Sequence, residues 1–192
     1  MIVQNVLSLS LFALFEIMVL TRTAILRQYK IRAIVFGQTD KYVYMFILST
    51  VLIAYAAAAS TFGVLIWSPL IRPFWTSQAP GWIGLLLCFI SVIGFLLTLI
   101  SFGKSFRVGI DGNAPGKLIT TGMFAISRNP VYVCMMILFA GLFLIHNNIA
   151  VTVVILLFVP VLHRQILREE RFLASHYGDE YEEYRKKVRR YL

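Results

Sequence analysis

Apolar residues in this chain are gathered into long blocks, separated by short polar segments. The first block covers residues 2–20, the second about 42–67 and the third 82–102. A helix needs roughly 20 apolar residues to cross the hydrocarbon core of a bilayer, and each of these blocks is long enough. The pattern therefore predicts three spanning helices in the N-terminal half of the chain.

Two shorter apolar blocks follow, over residues 131–145 and 149–162. Only three polar residues separate them, which predicts a short helical hairpin with position 147 reachable from outside the cell. Residues 163–192 are too polar to span, but their apolar residues recur at helical spacing. They predict an amphipathic helical tail that is interrupted at Gly178, where Asp179 would cap a second helix and be reachable from the cytoplasm.

The predicted fold is thus an all-α integral membrane protein with five transmembrane helices, the last two a short hairpin, and a cytoplasmic tail. Composition agrees, because 59% of the 192 residues are hydrophobic and 14% are charged. Soluble domains average about 45–50% and about 25%. The mean hydropathy is +0.78. Together these values exclude an ordinary soluble domain.

The net charge of +9 would ordinarily raise the question of nucleic acid. Every Lys and Arg except Arg72, however, lies in residues 21–41, 103–130 or beyond 162, which five spans place on one side of the membrane. This asymmetry follows the positive-inside rule, so the N-terminus is predicted outside and the C-terminus in the cytoplasm. No nucleic-acid partner is expected.

The first apolar block, Glu16 within it and the two cysteines each have a structural and a functional interpretation. The first block lacks a basic leading region, contains Glu16 and shows no clear cleavage site, so a retained helix is favoured over a signal peptide. Glu16 is either functional or a hydrogen-bonded structural residue. Cys88 and Cys134 lack CxxC or Cys/His spacing and are predicted to be packing residues, with no metal site expected.

Polar side chains that could take part in binding or catalysis are concentrated in residues 101–132 and in the tail. The Gly-rich stretch 109–117 fails the P-loop pattern, and GxGxxG is absent, so neither nucleotide motif is supported. Asn129 and Pro130 are typical of a helix start, as N-cap and first helical residue. Surface ion pairs with neighbouring arginines would explain the pair Glu169–Glu170.

The two segments together resemble the isoprenylcysteine carboxyl methyltransferase family, which is related to membrane phospholipid methyltransferases. The resemblance covers about residues 101–190. It rests on the order and spacing of Leu118, Gly122, Phe124, Arg128-Asn129-Pro130-Val131-Tyr132, an apolar hairpin, Glu169-Glu170-Arg171-Phe172-Leu173, Tyr177-Gly178, Tyr181 and Tyr184.

This chain differs from the family pattern at two places. Asn129 stands where the family has His, and Phe124 stands where it has Tyr. Because an amide binds hydrogen-bond partners and does not titrate, position 129 is expected to bind rather than to transfer protons. A family Arg associated with the substrate falls nearest Gln165, between Arg164 and Arg168.

The resemblance implies methyl transfer from S-adenosylmethionine, with S-adenosylhomocysteine as product. Within a single membrane domain, 1–192, residues 1–102 would form three spans and residues 103–192 the cofactor-binding core. Glu169 would accept hydrogen bonds from the cofactor, Phe124 would help to enclose its adenine, and Arg164 and Arg168 would be catalytic, holding the substrate. The implied cofactor-binding residues are Lys117, Leu118, Ile119, Phe124, Arg128, Asn129, Pro130, Val131, Tyr132, Glu169 and Glu170.

The resemblance also implies a lipid or prenylated acceptor that enters from the bilayer, with the α-carboxylate of an isoprenylcysteine favoured. A carboxylate is already ionised at neutral pH, so its methylation needs orientation and desolvation rather than a base. Three alternatives remain at this point. They are a phospholipid amine N-methyltransferase, an NADPH-dependent sterol or enone reductase with a similar C-terminal core, and a small transporter or assembly subunit.

Overall fold

The computed structural model describes residues 2–29, 42–63, 68–103 and 117–192. Within these ranges the regular structure is entirely helical, as the apolar blocks predict. Residues 109–116 of the Gly-rich stretch lie outside the described ranges. The α-helices are α1 (Ile2–Gln28), α2 (Tyr42–Phe62), α3 (Ala79–Phe102), α4 (Pro130–His146), α5 (Ile149–Tyr177) and α6 (Asp179–Lys187).

Three of these helices, α1, α3 and α5, are long and apolar enough to cross a membrane. Two shorter apolar stretches, Thr50–Phe62 of α2 and Pro130–His146, accompany them. Such a set of helices is that of a multi-pass membrane protein. Glu16 is half-buried on α1, and its role stays a prediction.

Several helix boundaries differ from the ends of the apolar blocks, among them the end of α2 at Phe62 rather than about 67. The apolar block of the second hairpin helix ends at residue 162, but α5 continues through the predicted helical tail to Tyr177. The change to charged residues marks the end of the apolar stretch, not a helix stop, because neither Gly nor Pro follows until Gly178. For the same reason α1 runs past residue 20 and includes Arg22 and Arg27. The predicted break at Gly178 is present, yet Gly178 is the N-cap and Asp179 the first residue of α6.

Helices α3 and α4 approach closely through small residues. The Ser91 hydroxyl donates to the Cys134 carbonyl oxygen at 2.7 Å, and a Cβ atom built on Gly141 would lie 2.6 Å from the Gly84 carbonyl oxygen. Glycine and serine allow helix backbones to approach in lipid, where packing replaces the hydrophobic effect as the driving force. Cys88 and Cys134 are buried free thiols in this interface, as their apolar surroundings predict.

We expect Gly141→Val to destabilise this contact by about 1–3 kcal/mol, the usual cost of overpacking. The adjacent Ala140 faces outward, so Ala140→Val is a matched control that should leave stability nearly unchanged. Thermal unfolding in detergent can be followed through the reactivity of the buried thiols with a fluorogenic maleimide. Equal melting temperatures for the two variants would contradict the close contact.

The turn between α4 and α5 is buried, contrary to the expectation that position 147 is reachable. The segment before α3 folds over it, with the Phe74 amide donating to the Asn147 carbonyl oxygen at 2.8 Å. Asn147 is only 3% exposed. His146 lies between the first two helices, its Nε2 3.0 Å from Ser8 Oγ and its Nδ1 2.8 Å from Ser60 Oγ. The turn is thus held between α1, α2 and the covering segment.

Candidate active site

The chain enters the site through a tight turn against the end of α3. Gly122 has a φ of +64°, and a Cβ there would lie 2.3 Å from Ser101 Oγ, so the position favours glycine. The following 3₁₀ turn packs the Phe124 ring edge-on against Phe102, with ring centroids 4.6 Å apart. The buried Tyr184 hydroxyl of α6 donates to the Phe124 carbonyl oxygen at 2.7 Å. Phe124 is therefore held between α3 and α6.

Asn129 begins α4 but does not cap it with its side chain. Asn129 is the N-cap and Pro130 the first helical residue, as predicted, with no side-chain capping bond. Instead, Asn129 Nδ2 donates to Glu170 Oε1 at 3.0 Å and to the Arg190 carbonyl oxygen at 3.2 Å. The amide acts as a hydrogen-bond donor between distant parts of the chain, which suits a binding residue rather than an acid or base.

Glu170 is the centre of a buried ionic cluster and is 8% exposed. Its Oε1 lies 3.1 Å from Arg128 Nη2, and its Oε2 lies 2.8 Å from Arg190 Nη2 and accepts from Arg190 Nε at 2.9 Å. The hydrogen bond to Glu170 raises the pKa of the Arg190 guanidinium. Both carboxylate oxygens are thereby engaged by side chains of the protein itself. Within the described part of the chain, the buried Arg128 Nε has no hydrogen-bond partner.

Glu169 has different surroundings from its neighbour. The Tyr132 hydroxyl donates to Glu169 Oε1 at 2.6 Å, and Gln165 Nε2 donates to the same oxygen at 2.9 Å. Glu169 is half-buried, whereas Glu170 is buried. The two adjacent carboxylates therefore differ in burial and in partners: Glu170 lies between the guanidinium groups of Arg128 and Arg190, and Glu169 accepts hydrogen bonds from Tyr132 and Gln165.

The structure brings together five of the predicted residues, from the start of α4 and from α5. Of the other predicted residues, Pro130 is buried, Val131, Leu118 and Ile119 are half-buried, and Lys117 is exposed. Arg164 is exposed and Arg168 half-buried on α5; it is Gln165 that hydrogen-bonds Glu169. The five residues that meet are Arg128, Asn129, Tyr132, Glu169 and Glu170.

Two residues of the cluster were not predicted from the sequence. Arg190 lies in a run of charged residues, where nothing local distinguishes it from Arg189. Ser127 links the cluster to the end of the chain, because its hydroxyl donates to the Arg190 carbonyl oxygen at 3.2 Å. The break of α6 at Val188, whose backbone is extended, is the local sign that the last residues leave the helix.

Known proteins match the part of the chain that carries this site. Residues 79–180, more than half of the chain, match the phospholipid methyltransferase family. Protein-S-isoprenylcysteine O-methyltransferase of Schizosaccharomyces pombe is 36% identical over 112 residues, covering 51% of this chain and 46% of that protein. Cobalt-zinc-cadmium resistance protein CzcN of Cupriavidus metallidurans is 30% identical over 109 residues, covering 56% and 49%.

The chain spans about half the length of the curated relatives it matches. The family match includes α3, α4 and the two glutamates, so the contacts of Arg128, Asn129 and Tyr132 with those glutamates fall inside it, whereas Tyr184 and Arg190 lie beyond its end. The resemblance drawn from the sequence motifs is thereby confirmed. The chain belongs to the phospholipid methyltransferase family.

Proposed function

We propose that this chain is an S-adenosylmethionine-dependent methyltransferase that acts on a lipid acceptor at the cytoplasmic face of a membrane. The observation that carries the proposal is the meeting of Tyr132 with Glu169, at 2.6 Å, inside the segment that matches the family. These residues are far apart in sequence, and they come together at the end of the α4–α5 hairpin opposite its turn.

The residues present fit the cofactor by their chemistry. When bound, S-adenosylmethionine supplies an electrophilic methyl group on a sulfonium centre. Glu169 is a carboxylate that can accept hydrogen bonds from ribose hydroxyls or from an ammonium group, and Tyr132 and Gln165 hold it in place. Phe124 would border the adenine, and the backbone of residues 117–119 and 130–131 would hold the amino-acid part. Glu170 would hold this part of α5 against the start of α4, because its oxygens already bind Arg128, Asn129 and Arg190.

The acceptor that best suits these residues is a carboxylate attached to a prenyl or other lipid chain. A carboxylate needs desolvation and orientation, and an arginine can hold it through two hydrogen bonds. We propose Arg164 and Arg168, on the same stretch of α5 as the site, for this task. The family description favours a phospholipid amine as the second candidate. Methylation of an amine would require a neutral nitrogen, and Asn129 cannot remove a proton.

Ligand-dependent melting of the purified protein tests the cofactor. Because a ligand that binds only the folded state stabilises it, S-adenosylhomocysteine at 100 times its Kd should add about 2.7 kcal/mol. NADPH should add nothing, and stabilisation by NADPH alone would replace this proposal with the reductase alternative. Transfer of radiolabelled methyl to farnesylated N-acetylcysteine or to phosphatidylethanolamine would then identify the acceptor class.

The proposed orientation predicts which positions react with a membrane-impermeant maleimide. Since Asn147 is buried, Ser77, which is exposed before α3, is the better probe of the outer face. In intact cells Ser77→Cys should react, whereas Asp179→Cys should react only after the membrane is permeabilised. The unsubstituted chain is the control, because Cys88 and Cys134 are buried. The reverse pattern would place the site on the outer face.

A further inference from the structure

The last five residues of the chain, 188–192, form a strap across the site. The strap leaves α6 at Val188, where the backbone becomes extended. The Arg128 amide donates to the Arg189 carbonyl oxygen at 2.9 Å. At the far end of the strap, the Tyr191 hydroxyl lies 2.6 Å from His163 Nδ1 on α5. The strap therefore contacts both walls of the site, the segment before α4 and the middle of α5.

Arg190 makes the most contacts within the strap, and it makes them with both walls. Its carbonyl oxygen accepts from Ser127 Oγ at 3.2 Å and from Asn129 Nδ2 at 3.2 Å. Its guanidinium binds Glu170 Oε2 through Nη2 at 2.8 Å and through Nε at 2.9 Å. A guanidinium that approaches a carboxylate through two N–H groups fixes its direction as well as its distance.

Glu170 cannot shift without moving Glu169, because the two are consecutive on one helix. Asn129 and Tyr132 are likewise on adjoining turns at the start of α4. The contacts of Arg190 with Glu170 and with Asn129 thus add to the direct contacts of Arg128 and Asn129 with Glu170. Together they hold the two walls at the separation at which Tyr132 reaches Glu169.

We infer that Arg190 is a positioning residue, and that the strap which carries it sets the cofactor-binding geometry of Glu169. The inference rests on the proposed function and goes beyond it, since Arg190 itself need not touch cofactor or acceptor. Because the strap contacts support the geometry that binds the cofactor, cofactor binding and these contacts should each stabilise the other. Loss of Arg190 should weaken binding of the cofactor and leave binding of the acceptor unchanged.

Three variants of the full chain test this. Arg190→Gln removes the charge and the paired N–H groups, Arg190→Lys keeps the charge, and Lys187→Gln removes a charge from an exposed residue just before the strap. We expect Arg190→Gln to raise the Kd of S-adenosylhomocysteine by about tenfold, the scale of one charge-assisted hydrogen bond. The Kd of Arg190→Lys should lie between those of Arg190→Gln and the unsubstituted chain, and the Kd of Lys187→Gln should equal that of the unsubstituted chain. In turnover, the KM for S-adenosylmethionine should rise while that for the acceptor stays constant.

Hydrogen exchange at the Arg128 amide reports on the strap without any ligand, because this amide donates to Arg189. It should speed up in Arg190→Gln, less in Arg190→Lys, and not in Lys187→Gln. Unchanged exchange, or unchanged affinity in Arg190→Gln, would overturn the inference while the proposed function stands. Absence of binding by the unsubstituted chain would overturn the proposed function and this role with it. If Arg190→Gln does not fold, unchanged affinity and exchange in Arg190→Lys would count against the inference.

Discussion

Glu170→Ala should lower the free energy of unfolding by about 3–5 kcal/mol, the usual effect of removing one partner from a buried ion pair. The substitution leaves Arg128 buried and without its carboxylate, since both the Arg128 and Glu170 side chains are less than a tenth exposed. It also releases Asn129 Nδ2 and the Arg190 guanidinium from their shared acceptor. A titration with denaturing detergent, followed by circular dichroism, measures the change.

One of the exposed ion pairs of α6, Glu183 with Lys186, provides the matched control. Glu183 lies 3.0 Å from Lys186, with both side chains more than half exposed, so Glu183→Ala should cost less than about 1 kcal/mol. The double variant Glu170→Leu with Arg128→Met replaces the ion pair by apolar groups and should recover part of the loss. A Glu170→Ala variant as stable as Glu183→Ala would show that the cluster does not hold the two walls together.

Glu169→Gln should raise the Kd of S-adenosylhomocysteine by about tenfold to a hundredfold, because hydrogen bonds to a charged group contribute about 1.5–3 kcal/mol. The shape is kept, and Tyr132 and Gln165 keep an oxygen acceptor. Stability without ligand should therefore change little. Isothermal titration of the detergent-solubilised protein measures the Kd, and unfolding without ligand measures the stability.

The contrast between adjacent positions makes this result specific. Glu169→Gln is expected to act on affinity, whereas Glu170→Ala is expected to act first on stability, because the surroundings of the two carboxylates differ. Glu183→Gln, on the exposed side of α6, controls for the loss of one negative charge. An unchanged Kd in Glu169→Gln would remove Glu169 from the cofactor site.

The order of the helices could be predicted from the apolar blocks and the end of α5 from Gly178, but the end of α1 could not. Hydropathy reports where the apolar layer ends, and the residues after Leu162 still favour helix. Burial of Asn147 could not be predicted, because it depends on the segment before α3 folding back over the turn. A short polar turn is ordinarily exposed, and only a tertiary contact makes it otherwise.

The residues of the site could be predicted where two sequence motifs combine. They could not be predicted where a contact depends on one charged residue within a charged run. Asn129 and Pro130 indicate a helix start from the local sequence. The hydrogen-bond partner of the Asn129 side chain, Glu170, is nevertheless 41 residues away. Arg190 follows Arg189 in a basic run, and its contact with Glu170 follows only from the path of the strap. Local patterns specify helix ends well, whereas side-chain partners across the fold depend on packing.

The unbroken length of α5 sets the depth at which the proposed chemistry takes place. Glu169 lies 20 residues beyond Ile149 on one helix, which contains Pro160, and so at most ~30 Å away along its axis. The hydrocarbon core of a bilayer is also about 30 Å thick. With the start of α5 at one edge of that core, we expect Glu169 to lie near the other edge, where acyl chains give way to headgroups. An acceptor whose reactive atom sits at headgroup level would meet the site while its tail stays in the lipid.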